Sequence, residues 1–193
     1  MPGCWNLLRP ELLHYEGAAW YVREFDGAPP PPGACALLQF GAAAQRAEVF
    51  LNGVHLGGHL GGSTPFSLDA TAALRAGRNR LMVMVENARR AERVPMHHFD
   101  WFNYGGPHRS VTLLHLPALH VRRFAAWCEP GSEGRRIRVQ AWLSGPADGE
   151  TRFRIPALGI DAAVAIRAGV GDALLDAAPP LWSPARPVLH EVE

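Results

Sequence analysis

Residues 97–111 read HHFDWFNYGGPHRSV, a density of chemical groups that a plain connection between two strands does not need. A carboxylate beside flat aromatic faces suits a polyol. Asp100 would accept hydroxyl hydrogens while Trp101, Phe102 and Tyr104 cover C–H faces. Gly105 and Gly106 give the backbone freedom for a tight bend. The competing reading is that Asp100 caps the loop backbone and the rings belong to the core, because Asp and Asn commonly serve turns. Arg109 enters the following strand, either as a buried partner for a carboxylate or as a ligand contact. His97, His98 and His108 with Asp100 match no zinc spacing, and no G-x-S-x-G marks a serine nucleophile.

The elements that must hold this stretch are short strands. Residues 18–25, AAWYVREF, are aromatic and β-branched. Segments 35–40 and 46–51 follow, and Asn52-Gly53 is a strong hairpin signal returning through 54–56. Residues 57–66, GGHLGGSTPF, read as a glycine-rich loop without the lysine and helix of a phosphate site. TAALRAG, 71–77, predicts one short helical turn ended by Gly77. The run 81–85 inside 79–87 fits a strand covered on both faces, and 110–116 is a strand after the central stretch. Four consecutive prolines in 26–33 require an exposed, stiff connection. From about residue 118 a second unit begins, with strands at 120–128, 135–143, 151–155 and 162–167. Short strands, frequent turns and almost no helical periodicity argue for an all-β chain of sandwich or jelly-roll type, divided into 1–117 and 118–193.

The chain has 193 residues, 48% hydrophobic and 19% charged, enough for one large or two small globular domains. A net charge of +1 gives no electrostatic case for nucleic acid or an acidic membrane. All its basic residues are arginine, which with abundant Ala, Gly and Pro reads as coding bias. Cys4, Cys35 and Cys128 form neither a metal pattern nor an even disulfide set and read as buried thiols. The N-terminus lacks the pattern of a signal peptide and no apolar run reaches a membrane span, so a cytoplasmic location is expected.

The stretch Asp100, Trp101-Phe102, Asn103-Tyr104, Gly105-Gly106 and Arg109 resembles the loop that closes the N-terminal β-sandwich of family 2 glycoside hydrolases, β-glucuronidases above all and β-galactosidases more loosely. Pro107 stands where the family usually has Ile, a difference that would alter the bend. Three further segments resemble the family: Pro2-Gly3-Cys4-Trp5-Asn6; the strand Trp20-Tyr21, Arg23 and Phe25; and His59, Gly61, Gly62, Thr64, Pro65 and Phe66. Of these Phe66 is expected in the core. Residues 179–190, PPLWSPARPVLH, resemble the end of the family's second domain. The resemblance implies a galactose-binding-like jelly roll followed by an immunoglobulin-like sandwich, both cut short, with exposed edges that invite pairing with another chain.

It also implies roles. The acid matching Asp100 reaches into the sugar pocket, so Asp100, Trp101, Phe102, Asn103 and Tyr104 are the expected substrate contacts. Gly61, Gly62, Pro65, Phe66, Gly105, Gly106 and Arg109 are the expected structural motif, and no cofactor or metal is implied. Retaining glycosidases need two carboxylates roughly 5 Å apart, which the family carries on a downstream (β/α)8 barrel of about 250 residues. This chain has no such alternation, and its glutamates show no pairing signature. The expected role is therefore a non-catalytic portion of a family 2 glycosidase that forms one wall of a β-galactoside or β-glucuronide pocket and supports the barrel. The alternatives are a stand-alone carbohydrate-binding module and a structural or dimerising sandwich, with homo-oligomers formed through sandwich edges.

Overall fold

Alternation of small and large apolar residues in 34–51 builds the heart of the first unit. The computed structural model describes residues 2–131, 133 and 136–193 and divides into Met1–Pro117 and Ala118–Glu193. In the first unit a short helix α1 (Trp5–Leu8) precedes strands β1 (Ala18–Gly27), β2 (Ala34–Phe40), β3 (Arg46–Leu51), β4 (Val54–Leu60), β5 (Phe66–Asp69), β6 (Gly77–Glu86) and β7 (Val111–Pro117). They form two antiparallel sheets, β1-β6-β3-β4 and β5-β2-β7. Every second residue points inward: Ala36, Leu38 and Phe40 from β2, Ala47, Val49 and Leu51 from β3, Leu81, Val83 and Val85 from β6, all buried in one core.

Three local expectations change. The segment 57–66 is not all loop, because β4 runs on through Leu60 and β5 begins at Phe66. Glycine-rich β4 pairs along β3 and shifts register between Val49 and Phe50, a bulge that its small residues accommodate. The apolar run of β6 is sealed on one face only: Met82 and Met84 are half-buried on the other, where Met84 lies opposite Trp20, itself 55% exposed. The 71–77 segment makes the expected single turn, with Leu74 N–H donating to Ala70 O. Gly77, at φ 78°, opens β6. Asn52 and Gly53 adopt φ 53° and 85°, the geometry of a tight hairpin. The thiols are less buried than expected, with Cys4 and Cys35 half-buried and Cys128 exposed.

At the open side of this sandwich, edge strands β1 and β7 flank an apolar cleft of about 620 Å³ reaching Leu38, Phe40, Leu81 and Val83. Tyr21 lines it, and its hydroxyl donates to Gly3 O at 2.9 Å, tying the N-terminal segment to β1. Burial pushes the Tyr21 phenol from 10.0 up to about 12, the Cys4 charge adds to this, and the Trp5 backbone opposes it. A phenol that loses its proton less readily folded than unfolded binds more protons in the native state between these values. Stability is therefore whole below pH 10 and falls as pH rises toward 12. Urea midpoints measured across that range should decline more steeply for the native chain than for Tyr21→Phe; equal slopes would exclude this group as the source.

The second unit contains β8 (Val121–Cys128), β9 (Arg136–Leu143), β10 (Gly149–Ile155), β11 (Ile160–Arg167) and β12 (Val170–Asp176). β12 follows β11 after a two-residue turn in which Ala168 and Gly169 have φ 49° and 83°, and it was not anticipated as a strand. The order is β10-β11-β12-β9-β8. β11 and β12 pair at only two positions, so the β10–β11 ribbon diverges from the other three strands. Ile137, Val139 and Ala141 of β9 join Phe153, Ile155, Val164 and Ile166 of β10 and β11 in a single core. The backbone of Glu193 exchanges two hydrogen bonds with Arg154 on β10. The apolar–polar alternation of 136–143 is realised, with Ile137, Val139 and Ala141 buried; position 135 lies outside the described residues.

No helix among the described residues is long and apolar enough to cross a membrane.

Candidate functional site

Residues 87–110 connect β6 to β7 and are fixed at both ends. Asn87 accepts the Gly17 N–H on its side-chain oxygen at 2.8 Å and donates its amide to Asn103 O at 2.9 Å. Asn103 returns the bond, its Nδ2 donating to Asn87 O. Both amides are buried, so each is satisfied by the other's backbone. Of the five expected sugar contacts, Asn103 is thus the one turned inward, engaged in holding the loop closed.

The Gly-Gly pair does two different things. Gly106 has φ 126°, and a Cβ there would stand 2.4 Å from both Gly3 O and the Tyr21 hydroxyl. This is the position that needs backbone freedom. Gly105 shows no positive φ; a Cβ on it would stand 2.0 Å from the Trp5 ring. Its missing side chain makes room for that indole. Gly106 exchanges backbone bonds with Ala44, Gly105 O accepts the Trp5 N–H, and Gly3 N–H donates to Pro107 O. The bend forms with Pro107 buried in place of the family's Ile. Asn6, itself buried, reaches in from α1, accepting the Gly105 N–H at 2.8 Å.

Asp100 sits at the exposed crest of this loop. Among the described residues its carboxylate makes no hydrogen bond and no ion pair, so it caps no backbone. What holds it is Arg89. That guanidinium pairs with Glu16 at 2.8 Å and donates to Phe99 O at 2.8 Å and Trp101 O at 3.1 Å, gripping the carbonyls on either side of Asp100. A planar fork with several fixed donors suits this better than an ammonium would. Sequence reasoning missed Arg89, because residues 88–96 look like an unremarkable polar connection. The only hint is an arginine three residues past the β6 terminus. Arg93, paired with Glu86 at 3.4 Å, and Gln45, bonded to Val94 O, hold the loop's first half. The hydrogen bond from the Arg90 guanidinium holds the Glu86 carboxyl below its ordinary range.

The rings beside Asp100 are outside the core. Trp101 is 48% exposed, Phe102 36% and Tyr104 43%. They form two tilted pairs, Phe99 with Trp101 at 4.2 Å and Phe102 with Tyr104 at 4.8 Å. Asp100, Trp101, Phe102 and Asn103 line a cleft of about 240 Å³ with Arg89, His14 and Glu16. Phe102, Tyr104 and His108 line a neighbouring one of about 260 Å³. Both are below the roughly 300 Å³ at which enclosed small-molecule sites begin, so either can seat only part of a ligand. His97, His98 and His108 belong to no group of three or more His, Cys, Asp or Glu able to hold a metal among the described residues.

The second glycine motif buttresses the loop from below. Gly61, at φ 140°, donates its N–H to Gln45 O. A Cβ on Gly62 would touch Ala44, while Pro65 is exposed. Phe66 stacks between Phe40 and His59, with centroids 4.8 and 4.3 Å away, and packs on the core as expected. Arg109 is exposed, not buried, and donates to Ser63 O at 3.2 Å. Its long side chain bridges two loops, and among the described residues it finds no carboxylate.

Residues 6–117 match the sugar binding domain of glycosyl hydrolases family 2. A β-glucuronidase from Paenibacillus borealis is 27% identical over 164 residues, covering 75% of this chain and 27% of that protein. A β-galactosidase from Thermoanaerobacter pseudethanolicus is 30% identical over 111 residues, 56% of this chain and 15% of that protein. Among solved structures, Bifidobacterium dentium β-glucuronidase complexed with coumarin-3-O-glucuronide superimposes with a TM-score of 0.80 at 26% identity, covering 96% of this chain and 38% of that one. The chain thus spans well under half the length of each of these relatives. With a buried Asn-and-Gly frame under an exposed acid and rings, and a match over residues 6–117, the chain belongs to glycosyl hydrolase family 2.

Proposed function

We propose that the 99–104 loop is one wall of a sugar pocket, in a family 2 glycosidase acting on substrates of the β-glucuronide or β-galactoside class. The catalytic carboxylates and the rest of the pocket come from a barrel that this chain does not contain. The observation that carries the reading is the Asp100 carboxylate: exposed, without a partner among the described residues, and held at the crest by Arg89 on both flanking carbonyls. An unengaged anion kept in one place is ready to accept hydroxyl hydrogens, and Trp101 and Phe102 beside it can cover a sugar's apolar face. The shallow cleft fits a wall rather than an enclosed site.

Chemical-shift titration of the chain with methyl β-glucuronide and methyl β-galactoside tests this. A lone wall should bind at about 1 mM or weaker, near −4 kcal/mol, with shifts confined to the loop. Asp100→Ala should abolish the shifts by removing the contact. Arg89→Ala should weaken them severalfold and broaden the amides of 99–102 by releasing the loop. Absence of any loop response to either sugar, or a response unchanged in Asp100→Ala, rejects the wall. Hydrolysis of a chromogenic glycoside by pure chain would contradict the placement of catalysis elsewhere.

The exposed rings favour a second reading, a self-sufficient carbohydrate-binding module, which would bind at micromolar rather than millimolar concentration. We place the chain in the cytoplasm, where its three free thiols stay reduced, and its self-association at the open β1 and β7 edges, where unpaired backbone can accept another strand.

A further inference from the structure

Neighbouring residues on a regular strand point to opposite faces. β8 departs from this at its start. Val121 lies opposite Leu143 and Arg123 opposite Trp142, so Arg122 is an extra residue in the ladder. A bulge re-aims side chains, and here both Arg122 and Arg123 line one cleft of about 320 Å³ together with Trp142 and the turn residues Gly145 and Gly169. The guanidinium of Arg123 lies over the Trp142 ring, 4.6 Å from its centroid. That stacking holds one planar fork in place without using up its donors.

The charge in this cleft is unbalanced. No acidic side chain lines it, and among the described residues neither Arg122 nor Arg123 forms an ion pair. Elsewhere in the same unit Arg138 is paired with Glu129 and Asp172, and Arg152 and Arg154 with Asp161. Two guanidinium groups brought together by a bulge and left without a counter-charge favour an anion that both can bond, and arginine forks match carboxylate and sulfate oxygens.

We propose that the cleft formed by the β8 bulge, Trp142 and the β11–β12 turn binds the carboxylate or sulfate of an acidic saccharide. The choice of a saccharide rests on the carbohydrate reading above. The site itself uses residues of the second unit alone and does not depend on Asp100.

The test titrates the intact chain, at low ionic strength, with a short oligogalacturonate, a sulfated heparin-type oligosaccharide and an uncharged galacto-oligosaccharide of equal length, read by calorimetry and tryptophan fluorescence. With the wall removed by Asp100→Ala, one or both acidic sugars should bind and the uncharged one should not; the carboxylated and sulfated arms identify which group is taken. The double variant Arg122→Ala, Arg123→Ala should weaken binding by at least about tenfold, as loss of one charge-assisted hydrogen bond requires. Arg122→Lys, Arg123→Lys keeps the charge without the fork and should fall between. Both arginines are exposed, so these variants should keep the native circular dichroism. Running every titration on the full chain carrying Asp100→Ala removes the wall's contribution, so failure of this site is read separately from failure of the Asp100 wall. The proposal is overturned by no binding of either acidic sugar, by equal binding of the uncharged one, by affinity insensitive to the double variant, or by a DNA oligonucleotide of equal charge binding as well through the same arginines.

Discussion

Asn6→Ala should lower the stability of the first unit by about 3 kcal/mol, the cost of two or more buried polar groups left unmet. Asn6 is 2% exposed. Its side-chain oxygen accepts the Gly105 N–H at 2.8 Å. Its amide faces Leu12 O and Leu13 O, both at 3.0 Å, and Tyr15 O at 3.2 Å. One side chain therefore closes the turn after α1 and also fixes the bend under the Asp100 loop. Alanine leaves the Gly105 N–H and Leu13 O without this partner, while Leu12 O keeps the Tyr15 N–H and Tyr15 O the Trp5 indole N–H. In urea, the midpoint of the first unit's transition should fall while the slope stays constant, the mark of lost stability rather than a changed denatured state. Asn6→Asp should be no better than Asn6→Ala, because a carboxylate keeps the acceptor but points negative charge at three carbonyls. A variant as stable as the native chain would remove Asn6 from the frame.

The fold was legible where residue type repeats with a period. The alternation in β2, β3 and β9 and the Asn52-Gly53 turn each follow from local pattern, and the two-sheet core follows from that alternation. Errors came where small residues hide the pattern. Gly57 and Gly58 carry no side chain to alternate, so the second half of β4 reads as loop; they pair along β3 because a main-chain ladder needs no side chain. β12, with Gly171 in its first turn of pairing, was hidden for the same reason.

The site was legible in outline only. That 97–111 matters can be read from its chemistry, and Asp100, Trp101, Phe102 and Tyr104 do lie exposed together. Composition could not separate residues that face out from those that hold the loop. Asn103 and Arg109 show the two directions of that ambiguity: the amide is buried against Asn87, while the guanidinium, which could equally serve a buried carboxylate or a ligand, lies exposed beside Ser63. Arg89 acts through carbonyls ten and twelve residues away, a contact that no local pattern announces.

The bend itself gives the sharpest steric prediction. Gly105→Ala would place a methyl 2.0 Å from Trp5 Cζ2 and 2.3 Å from Cη2. Neither side can yield cheaply. Trp5 is 4% exposed and packs in the core, its indole N–H on Tyr15 O. Gly105 is fixed through its N–H to Asn6 and through its carbonyl to the Trp5 N–H. Overpacking of this kind costs about 3 kcal/mol or more, which for a unit of this size lowers the melting temperature on the order of 10 °C. The cause should be separable from backbone strain. Gly53 has φ 85° with nothing within 4 Å of a Cβ, so Gly53→Ala should cost only about 1 kcal/mol through conformation. Shrinking the indole should then relieve the clash. In a double-mutant cycle with Trp5→Leu, Gly105→Ala should cost at least about 1 kcal/mol less than in the native background. Additive costs would show that the methyl fits beside the indole after all, and that the Gly-Gly motif serves the turn at Gly106 alone. If the coupling is found, the glycine under the Asp100 loop is there for a tryptophan ring that seats the wall, and the PGCWN and NYGG segments are joined by that packing contact as well as by their hydrogen bonds.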